Sequence, residues 1–492
     1  MKRWIVAIAA CLLGLTTTGF APRSPKPRPP NIIVILTDDL GYGDLGAYGG
    51  KLIPTPHIDA LAASGVRFTD AYATAAVCAP SRASLMSGRH QARYGFEFNP
   101  VGRDERTGVP VSEASIATVM KTAGYATALV GKWHTGQAAG YHPLDRGFDS
   151  FFGFLGGAAS YFKDPAESGL QADTGADGAV TRARFPIMRD KQVVEQDGYL
   201  TDVFTDEAIA FIRGHRDKPF FLYLAYNAPH TPLQAPKRYT DRFAHVTSPH
   251  QRLYAAMVAS LDDNLGRLRS ALAKEGLERD TVIFFLSDNG CPNYIRGACS
   301  NAPLSGYKAF PWEGGVRVPF MVSAPGRIAR GLVSSRPVST LDILPTAARL
   351  AGVKAPSGVE GHDIASALAP TAGTVERTLF WRMGPNHAVR EGRWKLLVVN
   401  RSETVDDMSN LLGSPTPDGV KAEVSALGQW TLLFDVVQDP GEKNDLASAH
   451  PEVVARLSRA FTDWDKSNVE PMFTSRRQFR SEVDGRRVQL FN

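Results

Sequence analysis

Four short runs of aliphatic and aromatic residues constrain the fold of this chain more than any other feature. They are Ile32 to Leu36, Ala126 to Val130, Phe220 to Tyr226 and Thr281 to Leu286. A continuous apolar run of this length is typical of a strand that is buried on both faces of a parallel sheet. The last three runs follow predicted helices that end near Gly124, Gly214 and Gly276. This alternation predicts an α/β fold with a large, mostly parallel sheet between layers of helices.

The pattern changes near Pro356, where a smaller unit is predicted to begin. Strand-like pieces occur around Ala388 to Val399 and Thr431 to Val437, and a helix is expected from about Glu452. We therefore expect a large α/β domain over residues 31–355. A C-terminal α+β subdomain with a small antiparallel sheet and a helix is expected over residues 356–492.

The amino terminus has the pattern of an export signal. Residues 1–21 have a charged start, an apolar run and a small-residue exit, and residues 22–30 are a proline-rich tether. We do not expect a lipid anchor at Cys11, because the apolar run continues through Leu15. No later stretch has the roughly 20 apolar residues that a membrane span requires. The chain is predicted to be exported, to the periplasm or the cell exterior, without a stable membrane span.

The net charge and the number of cysteines limit which partners and which disulfides this chain can have. The net charge of +5 is small for 492 residues and the basic residues are scattered, so we expect no nucleic-acid partner. Without the signal, three cysteines remain, which leaves one unpaired in an oxidising compartment. Cys291 and Cys299 are eight positions apart and could form a disulfide, although sequence alone cannot establish this pairing. That pairing would leave Cys78 alone.

Polar side chains follow each of the four predicted strands. The segments are Thr37-Asp38-Asp39, Gly131-Lys132-Trp133-His134, Asn227-Ala228-Pro229-His230 and Ser287-Asp288-Asn289-Gly290. Ligands of parallel α/β sheets bind beyond the carboxyl ends of the strands, so these segments are predicted to meet at one edge of the sheet.

The acidic members of this set suggest a cation site. Asp38, Asp39, Asp288 and Asn289 offer only oxygen ligands, which suit a hard cation such as calcium or magnesium. An Asp-Asp pair after a strand is on its own more often a turn or a helix cap. Two such sets at one edge favour a metal, because they would otherwise concentrate like charge.

Basic side chains accompany the acidic ones. Lys132, His134, His230, Lys308 and Arg82 supply cations and proton-transfer groups near the same edge. A single histidine is usually a surface or core residue. The shared position of three of them, Lys132, His134 and His230, after strands instead indicates a site for a tetrahedral oxyanion, either sulfate or phosphate.

Cys78 lies where a helix is predicted to begin, with Pro80 in its first turn and Gly88 at its end. A helix amino end favours anions and lowers the pKa of a thiol. In a regular helix, Arg82 would lie one turn further on. The position fits a nucleophile beside a bound anion, and it fits a buried structural cysteine equally well.

The chain resembles the sulfatase family of the alkaline-phosphatase-like superfamily. The resemblance rests first on Cys78-Ala79-Pro80-Ser81-Arg82, followed by Leu85 and Gly88-Arg89. It continues through Asp38-Asp39, Gly131-Lys132-Trp133-His134, Ala228-Pro229-His230-Thr231-Pro232, Ser287-Asp288-Asn289-Gly290, and Lys308 with Glu313-Gly314-Gly315-Val316-Arg317. These motifs occur in order over most of the chain.

The resemblance implies that a formylglycine-generating maturation enzyme oxidises Cys78 to formylglycine (3-oxoalanine). It also implies Ca²⁺ bound by Asp38, Asp39, Asp288, Asn289 and the modified Cys78 side chain. Ser160 resembles a family serine that touches the sulfate, although Ala159 stands where many relatives have histidine. The expected substrates are sulfated carbohydrates or aryl sulfates, as in bacterial relatives.

The mechanism that we infer from this resemblance begins with the hydrated aldehyde, one hydroxyl of which attacks sulfur with help from Asp288. Lys132 and Lys308 bind the sulfate together with calcium, and His230 protonates the leaving alcohol.

Release of sulfate is assigned to His134, which takes a proton from the remaining hydroxyl, while Arg82 holds the hydrated aldehyde.

Two other functions are compatible with the sequence. One is a phosphate or phosphonate monoester hydrolase on the same scaffold, although no further His/Asp cluster suggests the second metal that such enzymes commonly use. The other is a non-catalytic, calcium-dependent protein that binds sulfated glycans. The intact Cys78 motif favours the enzyme, in which we expect Cys78 to be partly exposed at the floor of a pocket.

Overall fold

The computed structural model describes residues 28–100, 108–170, 185–295, 297–368, 376–406, 414–415, 422–475 and 477–491. The predicted signal at residues 1–21, Cys11, and the tether up to residue 27 lie outside these ranges. The first strand begins at Asn31, where the folded part was predicted to start. Within the described ranges, the structure contains no helix that is both long enough and apolar enough to cross a bilayer.

The elements are numbered in chain order. The strands are β1 Asn31–Thr37, β2 Gly65–Phe68, β3 Ala71–Tyr72, β4 Ala126–Lys132, β5 Ser150–Phe154, β6 Met188–Arg189, β7 Gln192–Val193, β8 Phe220–Ala225, β9 Thr281–Ser287, β10 Phe320–Ser323, β11 Leu332–Ser334, β12 Val338–Ser339, β13 Thr378–Met383, β14 Asn386–Glu391, β15 Trp394–Arg401, β16 Ser414–Pro415, β17 Gln429–Asp435, β18 Arg477–Val483 and β19 Arg486–Phe491. The α-helices are α1 Pro56–Ala63, α2 Cys78–Ser87, α3 Ile116–Thr122, α4 Leu200–Gly214, α5 Lys237–Thr240, α6 Pro249–Lys274, α7 Glu313–Val316, α8 Ile343–Leu350 and α9 Pro451–Asp465.

The four predicted strands form the centre of the large sheet. Its order is β11-β2-β10-β9-β1-β8-β4-β5-β6-β7, and β9, β1, β8 and β4 pair in parallel. All seven residues of β1 are buried. Ile33 and Ile35 face one core cluster, whereas Ile32, Val34 and Leu36 face the other. This double burial explains the continuous apolar run, and the predicted α/β class is confirmed.

The edges of this sheet differ from its centre. β10 pairs antiparallel with both β2 and β9, and β6 pairs antiparallel with β5. The three edge strands β2, β6 and β10 are two to four residues long. They are too short for the apolar periodicity that revealed the central four.

The C-terminal part contains a second sheet in the order β13-β14-β15-β19-β18-β16, with β17 also paired to β15. The strand-like region around Ala388 to Val399 is a hairpin of β14 and β15 that turns at Gly392, where φ is +57°. Helix α9 packs on this sheet through Val453 and Leu457. The predicted smaller antiparallel unit with a helix is therefore present.

Buried ion pairs join the two sheets. Lys395 Nζ of β15 lies 2.9 Å from Glu313 Oε1 and 3.0 Å from Glu442 Oε1, and all three side chains are buried. Glu313 also pairs with Arg317 and accepts a hydrogen bond from the Tyr72 hydroxyl. Removing one partner of such a network is costly. The network therefore fixes the segment around Glu313, which follows Lys308.

Candidate active site

The carboxyl ends of β1, β4, β8 and β9 bring the predicted site residues together. Backbone hydrogen bonds continue past the strand ends, from Asp38 N to Ala228 O and from Asp288 N to Thr37 O, each 3.1 Å long. These bonds hold the loops after β1, β8 and β9 in register. Polar groups separated by as many as 269 positions consequently share one buried cluster.

Two lysines pair directly with the first acidic pair. Lys132 Nζ lies 2.7 Å from Asp38 Oδ2, and Lys308 Nζ lies 2.8 Å from each carboxylate oxygen of Asp39. Burial alone would raise the pKa of Asp38. The positive charges of Lys132, His230 and Arg82 outweigh burial and hold this pKa well below its usual range. Asp38 is therefore an anion at the centre of the cluster.

Arg82 connects two of the acidic groups, Asp288 and Asp38. Its Nε donates to Asp288 Oδ2 at 2.9 Å, its Nη1 donates to the Lys132 carbonyl at 3.1 Å, and its Nη2 lies 3.7 Å from Asp38 Oδ1. Burial, with a further contribution from the charge of Asp38, raises the pKa of Asp288 to about 7 even though Arg82 opposes it. Arg82 thus holds the Asp288 carboxylate in place at the carboxyl end of β9.

Cys78 is the first residue of α2, as predicted, and it faces the same carboxylates. Its Sγ lies 3.4 Å from Asp38 Oδ1 and 3.9 Å from Asp39 Oδ1. Two expectations about Cys78 are wrong. The residue is only 1% exposed, and burial raises the pKa of its thiol instead of lowering it. Desolvation outweighs both the nearby lysines and the favourable position at the helix start.

The oxygen ligands fit a hard cation. Asn289 Nδ2 donates to Asp39 Oδ1 at 2.7 Å and to Gly290 O at 2.9 Å, while its Oδ1 is buried and has no hydrogen-bond partner within the described parts of the chain. One ligand atom from each of Asp38, Asp39, Cys78 and His230 lies within 4.8 Å of the others. An unpartnered amide oxygen beside two carboxylates is the donor set that calcium prefers.

The two histidines flank this cluster. Burial, followed by the charge of Lys132, lowers the pKa of His134 well below its usual value, and a Cβ at Gly157 would lie 3.0 Å from its Nε2. Burial, followed by Lys308, likewise lowers the pKa of His230. His230 Nδ1 faces the Thr231 carbonyl at 2.7 Å, and its Nε2 lies 3.7 Å from Asp39 Oδ2. Nε2 of His230 therefore faces the acidic cluster.

Ser160 lies beside the His134 contact, in the segment that includes Gly157. Its hydroxyl donates to Gln234 Oε1 at 3.1 Å, and the same oxygen accepts the backbone N–H of Tyr161. The proposed contact of Ser160 with sulfate remains a prediction.

The structure also contains groups that the sequence did not indicate. The Tyr294 hydroxyl lies 3.4 Å from Asp39 Oδ2, and the Tyr161 hydroxyl donates to the turn that carries His230. Cys291 and Cys299 form a disulfide, which answers the question left open by the sequence, and Tyr294 lies in the loop that it closes. Cys78 is the free cysteine of the described residues. The one sequence signal for Tyr294 as a site residue is its position between Cys291 and Cys299, shortly after Asn289.

Other acidic groups have structural partners. Asp262 accepts the backbone N–H groups of His57 and Ile58 at the start of α1. Asp44 accepts hydrogen bonds from the Gly41 and Ser300 amides and from the Tyr254 hydroxyl. Asp262 and Asp44 already have hydrogen-bond partners, so neither supports the second metal that phosphate monoester hydrolases commonly use.

A candidate nucleophile at a helix start, an oxygen-rich cation site and basic side chains on one edge of an α/β sheet define a hydrolase of anionic esters. Residues 30–353 match the sequence profile of the Sulfatase family. The chain belongs to the sulfatase family, and its enzyme class is that of the sulfuric ester hydrolases.

Curated relatives and solved structures agree with this assignment. The chain is 32% identical to steryl-sulfatase of Mus musculus, covering 89% of this chain and 82% of that protein. It is 32% identical to N-acetylgalactosamine-6-sulfatase of Rattus norvegicus, with 91% and 86% covered. A crystal structure of Ps i-CgsB in complex with k-i-k-neocarrahexaose has a TM-score of 0.78 and 34% identity, with 91% and 95% covered. Phosphonate monoester hydrolase SpPMH from Silicibacter pomeroyi, at 20% identity and a TM-score of 0.60, shares the fold alone.

Proposed function

We propose that this sulfatase removes sulfate from carbohydrates, using Ca²⁺ and a formylglycine formed from Cys78. The placement of the Cys78 side chain against Asp38 and Asp39, within reach of two lysines, carries the proposal. A sulfated sugar is favoured over an aryl or steryl sulfate because Ps i-CgsB, a structural neighbour with 34% identity, is in complex with k-i-k-neocarrahexaose.

The metal site would be formed by Asp38, Asp39, Asp288, Asn289 and the modified side chain at position 78. The hydrated aldehyde would supply the attacking hydroxyl, and calcium would supply positive charge at the sulfate oxygens.

The roles proposed for the two lysines, Asp288 and Arg82 follow from their contacts. Lys132 pairs with Asp38 and Lys308 with Asp39, so the two lysines are assigned to the sulfate oxygens once these carboxylates hold a metal. Asp288, which Arg82 orients, is assigned to accept the proton of the attacking hydroxyl. Arg82 holds Asp288 in place and keeps it from turning away.

The histidines would move the remaining protons. Nε2 of His230 faces the site, and this residue is assigned to the leaving alcohol. His134, beside Gly157, is assigned to the step that releases sulfate. Ser160 is retained as a candidate sulfate contact.

The test is the mass of the peptide that contains Cys78, from protein expressed with a formylglycine-generating enzyme and carrying residues 1–21 for export. The expected result is an aldehyde at position 78, with sulfate released from one or more sulfated oligosaccharides in a panel. A thiol that persists beside a competent maturation enzyme, with no sulfate released, would contradict the proposal and favour the glycan-binding alternative. Recovery of the protein in the cytoplasm with an uncleaved amino terminus would contradict the proposed export.

Removal of the metal gives a second prediction. Without a cation the Asn289 oxygen lacks a partner, so chelation is expected to reduce sulfate release at least about a hundredfold and to lower the unfolding temperature. Added Ca²⁺ should restore both. The measurement is activity and thermal unfolding in chelator, before and after Ca²⁺ is returned, with Mg²⁺ as the comparison. Full activity in chelator would rule out the metal site.

A further inference from the structure

Tyr161 is a buried hydroxyl donor that the mechanism above does not use. Its side chain is 0% exposed. The hydroxyl lies 2.6 Å from the Asn227 carbonyl and 2.8 Å from the His230 carbonyl. A phenol has one proton to donate, and both acceptors belong to the turn that carries His230. The turn is closed by its own hydrogen bond, from His230 N to Asn227 O at 2.9 Å.

The same segment of chain is fixed at other points. The Tyr161 amide donates to Gln234 Oε1 at 2.9 Å, and the Tyr199 hydroxyl donates to the Gln234 carbonyl at 3.0 Å. The rings of Tyr161 and Tyr199 stack, with centroids 5.6 Å apart. These contacts hold Tyr161 in one position between the core and the turn that carries His230. Its hydroxyl makes the hydrogen bonds to that turn.

Proton transfer by His230 would depend closely on the position of its imidazole ring. Its Nδ1 is held by the neighbouring Thr231 carbonyl, so the direction of Nε2 depends on the backbone of residues 230 and 231. Proton transfer requires a donor within about 2.6–3.2 Å of the reacting oxygen, and a displacement of 1 Å can cost about a hundredfold. A group that fixes this backbone also fixes the proton donor.

We propose that Tyr161 is a positioning residue for His230, acting through its hydrogen bonds to the Asn227 and His230 carbonyls. The inference rests on the proposed role of His230 as the proton donor to the leaving alcohol. It adds a residue outside the metal and sulfate contacts that controls one step of the reaction.

The expected signature is a dependence on the leaving group. An alcohol or phenol of high pKa needs protonation as it departs, whereas an acidic phenol leaves readily as an anion. Loss of alignment at His230 should therefore slow poor leaving groups much more than good ones. A change that only weakened the fold would slow all substrates alike.

The experiment compares wild type, Tyr161→Phe and His230→Gln on aryl sulfates whose phenols range from nitrophenol to unsubstituted phenol. Tyr161→Phe keeps the ring and removes only the hydroxyl. Tyr199→Phe is the matched control, because it removes a buried hydroxyl from the same aromatic stack whose acceptor is Gln234 O instead of the His230 turn. The double variant of Tyr161→Phe and His230→Gln tests whether the two act together.

For Tyr161→Phe, kcat is expected to fall about 10- to 100-fold on phenyl sulfate and less than about threefold on nitrophenyl sulfate, with KM nearly unchanged. His230→Gln should show the same trend more strongly, and adding Tyr161→Phe to it should change little further. Tyr199→Phe should lower the unfolding temperature as much as Tyr161→Phe does. It should leave the dependence of kcat on the leaving phenol as in the wild type.

Two results separate failure of this inference from failure of the function it rests on. If His230→Gln shows the steep trend and Tyr161→Phe does not, the positioning role of Tyr161 is wrong. If His230→Gln itself slows every aryl sulfate equally, His230 is not the proton donor, and the inference fails with that assignment.

Discussion

Cys78→Ala is expected to reduce sulfate release more than about a thousandfold while costing only about 1–2 kcal/mol of stability. The activity should be lost because the proposed attacking hydroxyl is formed from this side chain. The stability cost is small because only one sulfur atom is removed from a buried position beside Asp38. Sulfate release and urea unfolding of the same preparation measure the two effects.

Met86→Leu is the control for this experiment, because Met86 lies in the same helix, is 3% exposed and packs against a core cluster away from the carboxylates. A change of similar volume at that site should cost less than about 1.5 kcal/mol and leave activity intact. Sulfate release by Cys78→Ala at near wild-type rates would show that Cys78 is not the source of the nucleophile.

Arg82→Met is expected to reduce stability by about 3–5 kcal/mol and activity by at least about a hundredfold. The substitution keeps most of the side-chain volume but leaves Asp288 and Asp38 buried without their guanidinium partner. Leaving a buried charge unpaired costs about this much. Activity should fall because Asp288 also loses the hydrogen bond that orients it. Urea unfolding should be measured in chelator, so that a bound cation does not compensate.

A surface ion pair provides the comparison. Arg242 lies 2.9 Å from Asp263, and both side chains are more than one-third exposed. Arg242→Met should change stability by less than about 1 kcal/mol and leave turnover unaltered. Equal effects of the two arginine substitutions would mean that Arg82 is not the organiser of the acidic cluster.

The central sheet and the acidic groups could be read from sequence because both follow from a local pattern. The run Ile32 to Leu36 must be buried on both faces, and the residues after it must lie at the carboxyl edge of a parallel sheet. The same rule located Lys132, His230 and Asp288. The family resemblance added the expected chemistry of Cys78, which no pattern of burial could reveal.

Other features depend on distances that sequence does not contain. The pKa of Cys78 was expected to fall because of its helix position, but the depth of burial reverses the direction. Tyr161 and Tyr294 look like ordinary aromatic residues until their hydroxyls are seen to lie beside His230 and Asp39. The short antiparallel edge strands escaped prediction because their pairing depends on distant partners.

The burial of Cys78 has a consequence for when the proposed oxidation can occur. With 1% of its surface accessible, the thiol is out of reach of a second enzyme once β8 and β9 have closed around β1. During synthesis, Cys78 emerges about 200 residues before the end of β9. At 5–20 residues per second this interval lasts roughly 10–40 s. The proposed maturation enzyme would therefore compete with the folding of its substrate, and conditions that speed folding relative to modification should leave a larger share of chains inactive.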